Sequence, residues 1–223
     1  SKAEAKGTDV GKYYMGLTEE DFTVTSANYS NIKVVVHDGW LEITPITDEV
    51  VVTITGNTAT KVYDGSEQSV TGYTTDVGTK TITVALKEGS KAEAKGTDVG
   101  KYYMGLTEED FTVTSANYSN IKVVVHDGLL EITPITDEVV VTITGNTDTK
   151  VYNGSEQSVE GFTTDVGSKP ITVALKEGSK AEAKGTDVGK YNMNLTADDF
   201  TVTSDNYSNI KVVVNDGWLE ITP

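Results

Sequence analysis

Ile32-Lys33-Val34-Val35-Val36-His37-Asp38-Gly39-Trp40-Leu41-Glu42-Ile43-Thr44-Pro45 is the stretch that decides the fold. Ile32, Val34 and Val36 fall on one side of an extended chain and Lys33, Val35 and His37 on the other, the period-two pattern of a strand with one buried face. Asp38-Gly39 reads as a two-residue hairpin turn, because a type I′ turn needs φ > 0 at both central positions and this dipeptide supplies it cheaply. On that reading Leu41 and Ile43 lie opposite Val36 and Val34 on the core side, and His37 and Trp40 pair across the other face. Pro45 lacks the N–H that a ladder needs and ends the element.

The stretch returns, with small changes, at Ile121 and Ile210, and Ser1-Lys2-Ala3-Glu4-Ala5-Lys6-Gly7 returns at Ser90 and Ser179, 89 positions apart. Solenoid repeats span about 20 to 50 residues, so at this period each unit can own a core. Boundaries at Pro45 and Pro134 give full domains at 46–134 and 135–223, with 1–45 as the C-terminal half of a preceding unit. Such a half lacks the strands of its own N-terminal half and leaves apolar edges uncovered. It is expected to borrow strands from another chain or to belong to a longer polymer.

Further strands are predicted around Lys12-Tyr13-Tyr14-Met15, Val50 to Gly56 and Ile82 to Leu86, with a second hairpin at Lys61-Val62-Tyr63-Asp64-Gly65-Ser66. Thr18 caps at most one helical turn at Glu19-Glu20-Asp21-Phe22. Asp9-Val10-Gly11-Lys12-Tyr13 has the spacing of a tyrosine corner, in which a phenol bonds back to an upstream backbone group. It recurs from Asp98 to Tyr102 and from Asp187 to Tyr191. The expected fold is all-β, a tandem array of immunoglobulin-like sandwiches. The alternative is a β-grasp-like mixed sheet with one short helix, which a helix longer than one turn at Thr18 to Phe22 would favour.

Composition narrows the function. Thirty-four acidic residues face 18 basic ones, all lysine, for a net charge of −16. A chain without clustered cations is a poor partner for nucleic acid or anionic membranes. The charge favours solubility. With no cysteine there is no disulfide or thiol chemistry, and no apolar run reaches the length of a membrane span.

The copies test each candidate site. His37 and His126 become Asn215, so a general base or metal site built on that histidine is not a property of the repeat. Asp64 becomes Asn153, which suits a turn and not a catalytic carboxylate. Tyr73 becomes Phe162, and Trp40 becomes Leu129 and then Trp218. No catalytic, cofactor or metal residue is assigned, since Asp9, Asp38 and Asp76 lack the spacing that gathers oxygens around calcium. A Lys–Asn amide cross-link would need an asparagine in the last strand, and Trp40 to Thr44 offers none.

Lys61-Val62-Tyr63-Asp64-Gly65, Gly7-Thr8-Asp9-Val10-Gly11-Lys12-Tyr13, and Asn28-Tyr29 followed by Asp38-Gly39-Trp40-Leu41-Glu42-Ile43-Thr44-Pro45 together resemble the tandem YDG or MBG-type repeats of bacterial cell-surface proteins. The resemblance implies an extracellular location, at a bacterial cell surface or wall, with the repeats as a stalk that projects a tip domain or forms a fibre. The partners would be neighbouring repeats of one long chain, host glycan or another copy of the chain, without nucleic acid or membrane insertion. The alternative function is weak multivalent glycan or mucin binding, with Trp40, Tyr14, Tyr29 and Tyr63 as the ligand contacts.

Overall fold

The computed structural model describes residues 3–223; the first two residues of the segment 1–45 lie outside the described residues. The chain forms two compact units. One contains the residues up to Thr58, Val70–Ala94 and Tyr103–Leu129; the other contains Ala59–Ser69, Lys95–Tyr102 and Leu130–Pro223. Repeat 46–134 thus contributes to both, and repeat 135–223 lies wholly in the second.

The fold is all-β, as the alternation predicts. Helical structure among the described residues is confined to three single 3-10 turns, Glu19–Asp21, Glu108–Asp110 and Ala197–Asp199. Each is closed by a reciprocal capping box such as Thr196 with Asp199.

Repeat 135–223 shows the complete arrangement. Strand Val139–Gly145 lies between Phe162–Asp165, antiparallel to it, and Ile210–Asn215, parallel to it. Strand Trp218–Thr222 lies between Thr147–Val151, parallel, and Gly189–Asn192, antiparallel. Gln157–Glu160 pairs with Glu182–Gly185, and Thr172–Leu175 with Phe200–Thr203. Val141 and Ile143 from the first sheet meet Leu219 and Ile221 from the second in one core with Phe200 and Leu195. The four aliphatic residues are fully buried, and each contributes about 1.5–3 kcal/mol through the area it removes from water.

The two predicted hairpins are corrected. Ile210–Asn215 and Trp218–Thr222 belong to different sheets, and neither Asp216 nor Gly217 has the positive φ of a type I′ turn. Asp216-Gly217 is a crossing point at which the chain changes sheet. The run Val139–Val151 changes sheet at the same level, so Gly145 and Gly217 meet backbone to backbone. Trp218 N–H then donates to the Asn146 carbonyl at 3.2 Å. In the first unit Gly56 meets Gly128 in the same way, and Leu129 N–H donates to Asn57 O at 3.2 Å. The stretch at Tyr152-Asn153-Gly154-Ser155 also connects strands of different sheets. Asn153 Oδ1 accepts Ser155 N–H at 2.9 Å, as Asp64 Oδ1 accepts Ser66 N–H at 2.8 Å. An Asx turn takes either side chain, which accounts for the Asp64 to Asn153 change.

In the first unit Val50–Gly56 runs parallel to Ile121–His126 and antiparallel to Tyr73–Asp76. Val52, Ile54, Leu106 and Phe111 form its core. Residues 3 to 45 carry less order. Gly11–Tyr14 pairs with Trp40–Ile43, but residues 22 to 39 form no strand. Ile32 to His37, predicted as a strand, is therefore extended chain without a partner strand, and Trp40 lies opposite Tyr14 instead of His37. Phe22 is 48 % exposed where Phe111 and Phe200 are 4 % exposed. The equivalents of Ile32 to His37 are bonded to Val50–Gly56 and to Val139–Gly145.

Candidate functional site

The three recurring motifs meet where one repeat follows another, and the tyrosine corners prepare the place. Tyr13 Oη donates to Asp9 O at 2.7 Å, Tyr102 Oη to Asp98 O at 2.9 Å and Tyr191 Oη to Asp187 O at 3.0 Å. Each ring lies flat on a glycine: a Cβ on Gly185 would come within 2.2 Å of the Tyr191 ring. The corner closes over the valine after each aspartate, and at Val10 and Val99 the N–H of that valine donates to an asparagine side chain.

In the second unit Val99 N–H donates to Asn206 Oδ1 at 2.8 Å, and Asn206 Nδ2 donates to Asp98 Oδ1 at 3.0 Å. One carboxamide uses both ends to hold the Asp-Val turn. Asn206 is itself held: its N–H donates to Ser204 Oγ at 3.2 Å, and its carbonyl accepts Ile135 N–H at 3.0 Å. Ile135, just after Pro134, bridges Tyr207. Tyr63 stands edge-on to Tyr207, with ring centroids 5.9 Å apart, a favourable aromatic geometry.

The first unit repeats this joint. Val10 N–H donates to Asn117 Oδ1 at 2.9 Å, Asn117 Nδ2 to Asp9 Oδ1 at 3.1 Å, and Ile46 N–H to Asn117 O at 2.9 Å. Thr8, Val10, Ile46, Asn117 and Tyr118 line a small cleft there.

The Tyr63 phenol is pushed above the usual tyrosine range, first by burial, then by Tyr207 and the Asp98 carboxylate, against a smaller opposing effect from the hydrogen bond with Asn206. The joint favours the neutral phenol, so its contribution is full below about pH 10, the unfolded value. It is lost as pH rises through the higher folded value. Spectrophotometric titration is expected to show a late-ionising tyrosine that Tyr63→Phe removes; an identical curve for the variant contradicts this placement.

The remaining sequence candidates are scattered. Tyr14 and Trp40 lie opposite one another and are exposed, but Lys12 Nζ sits 3.8 Å from the Trp40 ring centre and occupies one face. Lys190 stands over Trp218 in the same way at 4.1 Å. The aromatic pair is not shared by the copies, which carry Tyr103 with Leu129 and Asn192 with Trp218. Tyr29 is 75 % exposed on the turn equivalent to the joint turns, and Tyr63 belongs to the joint. Lys61 Nζ donates to the Ser69 carbonyl at 2.9 Å and Lys150 Nζ to Ser158 O at 2.7 Å, so these ammonium groups are engaged by backbone and not by asparagine. Among the described residues no cluster of His, Asp and Glu could hold a metal ion, and no helix is long and apolar enough to cross a membrane.

Sequence reasoning missed Asn117, Asn206 and the valine after each corner aspartate. A signal was present: Asn-Tyr-Ser persists in all copies while its neighbour changes from Ala27 and Ala116 to Asp205.

No protein-family profile and no curated protein matches the chain. Among solved structures it is similar to the N-terminal four immunoglobulin domains of Dscam1 isoform 9.44, determined with zinc, at 13 % identity and a TM-score of 0.23 over 83 % of this chain. The match spans 50 % of that chain. So low a score leaves the fold to be argued from the strands, core and corners themselves.

Proposed function

We propose that the chain is a structural spacer, a run of stalk repeats of a bacterial surface or extracellular protein related to the YDG or MBG-type repeats. One observation carries the reading. The motifs that define the repeat make the same joint at both boundaries, with each hydrogen bond reproduced within about 0.1 Å. Residues kept for an external ligand would instead converge on an open face. The surface fits the role, since a net charge of −16 discourages lateral clumping.

The reading is tested by varying the repeat number. Small-angle scattering is expected to show a maximum dimension that rises in equal steps with each added repeat, and glycan arrays to show no binding at any number. Glycan binding that grows with repeat number and is lost in Trp40→Ala overturns the spacer reading in favour of an adhesin.

A further inference from the structure

Glycine follows Asp38, Asp64, Asp127, Asn153 and Asp216, and in this set Asn153 alone carries an amide. An amide in that position is chemically labile, because the glycine nitrogen can close a five-membered ring on the amide carbon and no Cβ hinders it. At the crossing points the same spacing is locked. Asp127 is a carboxylate whose oxygens accept the N–H groups of Gly105, Leu106 and Gly128 at 3.0, 2.9 and 2.8 Å. Asn153 instead lies exposed in the turn between Thr147–Val151 and Gln157–Glu160. Asp64, its counterpart in the preceding repeat, is exposed as well, so the exposure belongs to the turn. Among the described residues no hydrogen bond uses the Gly154 N–H. Asn153 Oδ1 accepts Ser155 N–H at 2.9 Å, and a donor there stabilises the negative oxygen that attack on Cγ creates.

The preceding repeat shows the product already accommodated. Asp64 Oδ1 accepts both Ser66 N–H at 2.8 Å and the Ser66 hydroxyl at 2.7 Å. These bonds, the hydroxyl first, hold the Asp64 carboxyl below the usual carboxylate range. Ser155 stands at the corresponding place beside Asn153.

We infer that Asn153 is a site of spontaneous modification, converting to aspartate in the folded chain through a succinimide closed by Gly154. Hydroxide removes the Gly154 N–H proton, the nitrogen bonds to Asn153 Cγ, and the Cγ–Nδ2 bond breaks as ammonia leaves with a proton from water. A second water opens the ring. Addition at Cγ restores the backbone as aspartate, whereas addition at the backbone carbonyl carbon gives isoaspartate and inserts a methylene into the main chain. The turn favours the first outcome. Aspartate keeps the Ser155 N–H bond and gains the Ser155 hydroxyl, but an added methylene would pull on Tyr152 N–H, bonded to Thr222 O at 2.9 Å, and on Gln157 Nε2, bonded to Val151 O at 3.0 Å. Conversion adds one negative charge to the net −16 and gives this turn the sequence of Tyr63-Asp64-Gly65-Ser66. It needs only water and is independent of the spacer reading.

The test holds the full chain folded at mildly alkaline pH beside a sample unfolded in guanidinium chloride, and follows both by peptide mapping that separates asparagine, aspartate and isoaspartate at position 153. In the folded chain Asn153 is expected to be the first asparagine converted, faster as pH rises, with aspartate the major product. In the unfolded chain isoaspartate is expected to dominate, since no turn directs the opening and the backbone carbonyl is the more electrophilic. Asn153→Gln, whose longer side chain closes the ring poorly, should lose the early conversion. If Asn153 stays intact in the folded chain while the unfolded chain converts, the turn protects the amide and the site is overturned. Isoaspartate as the major folded product overturns it equally, because the turn would then not select aspartate.

Discussion

Gly217→Ala is expected to keep the last repeat from folding. A Cβ at that position would lie 2.5 Å from the Asn146 carbonyl oxygen, 2.6 Å from Met193 Sδ and 2.8 Å from the Gly145 carbonyl carbon. The methionine can rotate away, but the two backbone atoms belong to the neighbouring run at the point where both runs change sheet. Overpacking relieved by side chains costs about 1–3 kcal/mol. Here the backbones must separate, straining the Trp218 N–H bond to Asn146 O and the Met193 N–H bond to Gly217 O. The loss should exceed about 3 kcal/mol, a large part of the roughly 5–15 kcal/mol that holds a domain together. Urea melts of the full chain should lose the transition of this repeat; a melt unchanged from the parent contradicts the crossing.

Asn206→Ala is expected to leave both repeats folded and to loosen the joint between them. The side chain is 4 % exposed, so its removal strands Val99 N–H without an acceptor and takes the donor from Asp98. A buried group left unpaired costs about 1–3 kcal/mol. Amide exchange at Val99 should accelerate by one to two orders of magnitude, while Ile143 and Leu219 in the core stay protected. Asn117→Ala should act in the same way on Val10. Unchanged protection at Val99 would mean that Asn206 does not hold the turn.

Much of the fold was legible because strand alternation is local. The buried faces of Val139–Gly145 and Trp218–Thr222 follow from their apolar periodicity, and the tyrosine-corner spacing places a phenol on a backbone carbonyl four residues upstream. What local chemistry could not show is pairing. Asp-Gly between two alternating runs looks the same whether the runs fold back on each other or part into two sheets. The decisive partner of Val214 is Ile143, far upstream in the chain. The same blindness affected the aromatics. Tyr63 read as an exposed contact because its partner Tyr207 is carried by the next repeat, and an asparagine that joins repeats has no signature within its own.

Residues 3–45 show how strongly the fold depends on such distant pairing. Phe22 and Leu41 repeat buried residues of the other copies, yet both are exposed. Their hydrophobicity is the same, so burial is set by the pairing of the strands around each copy.

The most direct test of the spacer account is a distance measurement across the filled joint. Spin labels at Thr60→Cys and Glu160→Cys, both exposed positions of the second unit, report on that joint by pulsed electron resonance. A single narrow distance distribution that broadens in Asn206→Ala is the expected result. A distribution already broad in the parent chain would show that the motifs do not fix one repeat upon the next, and would contradict the account.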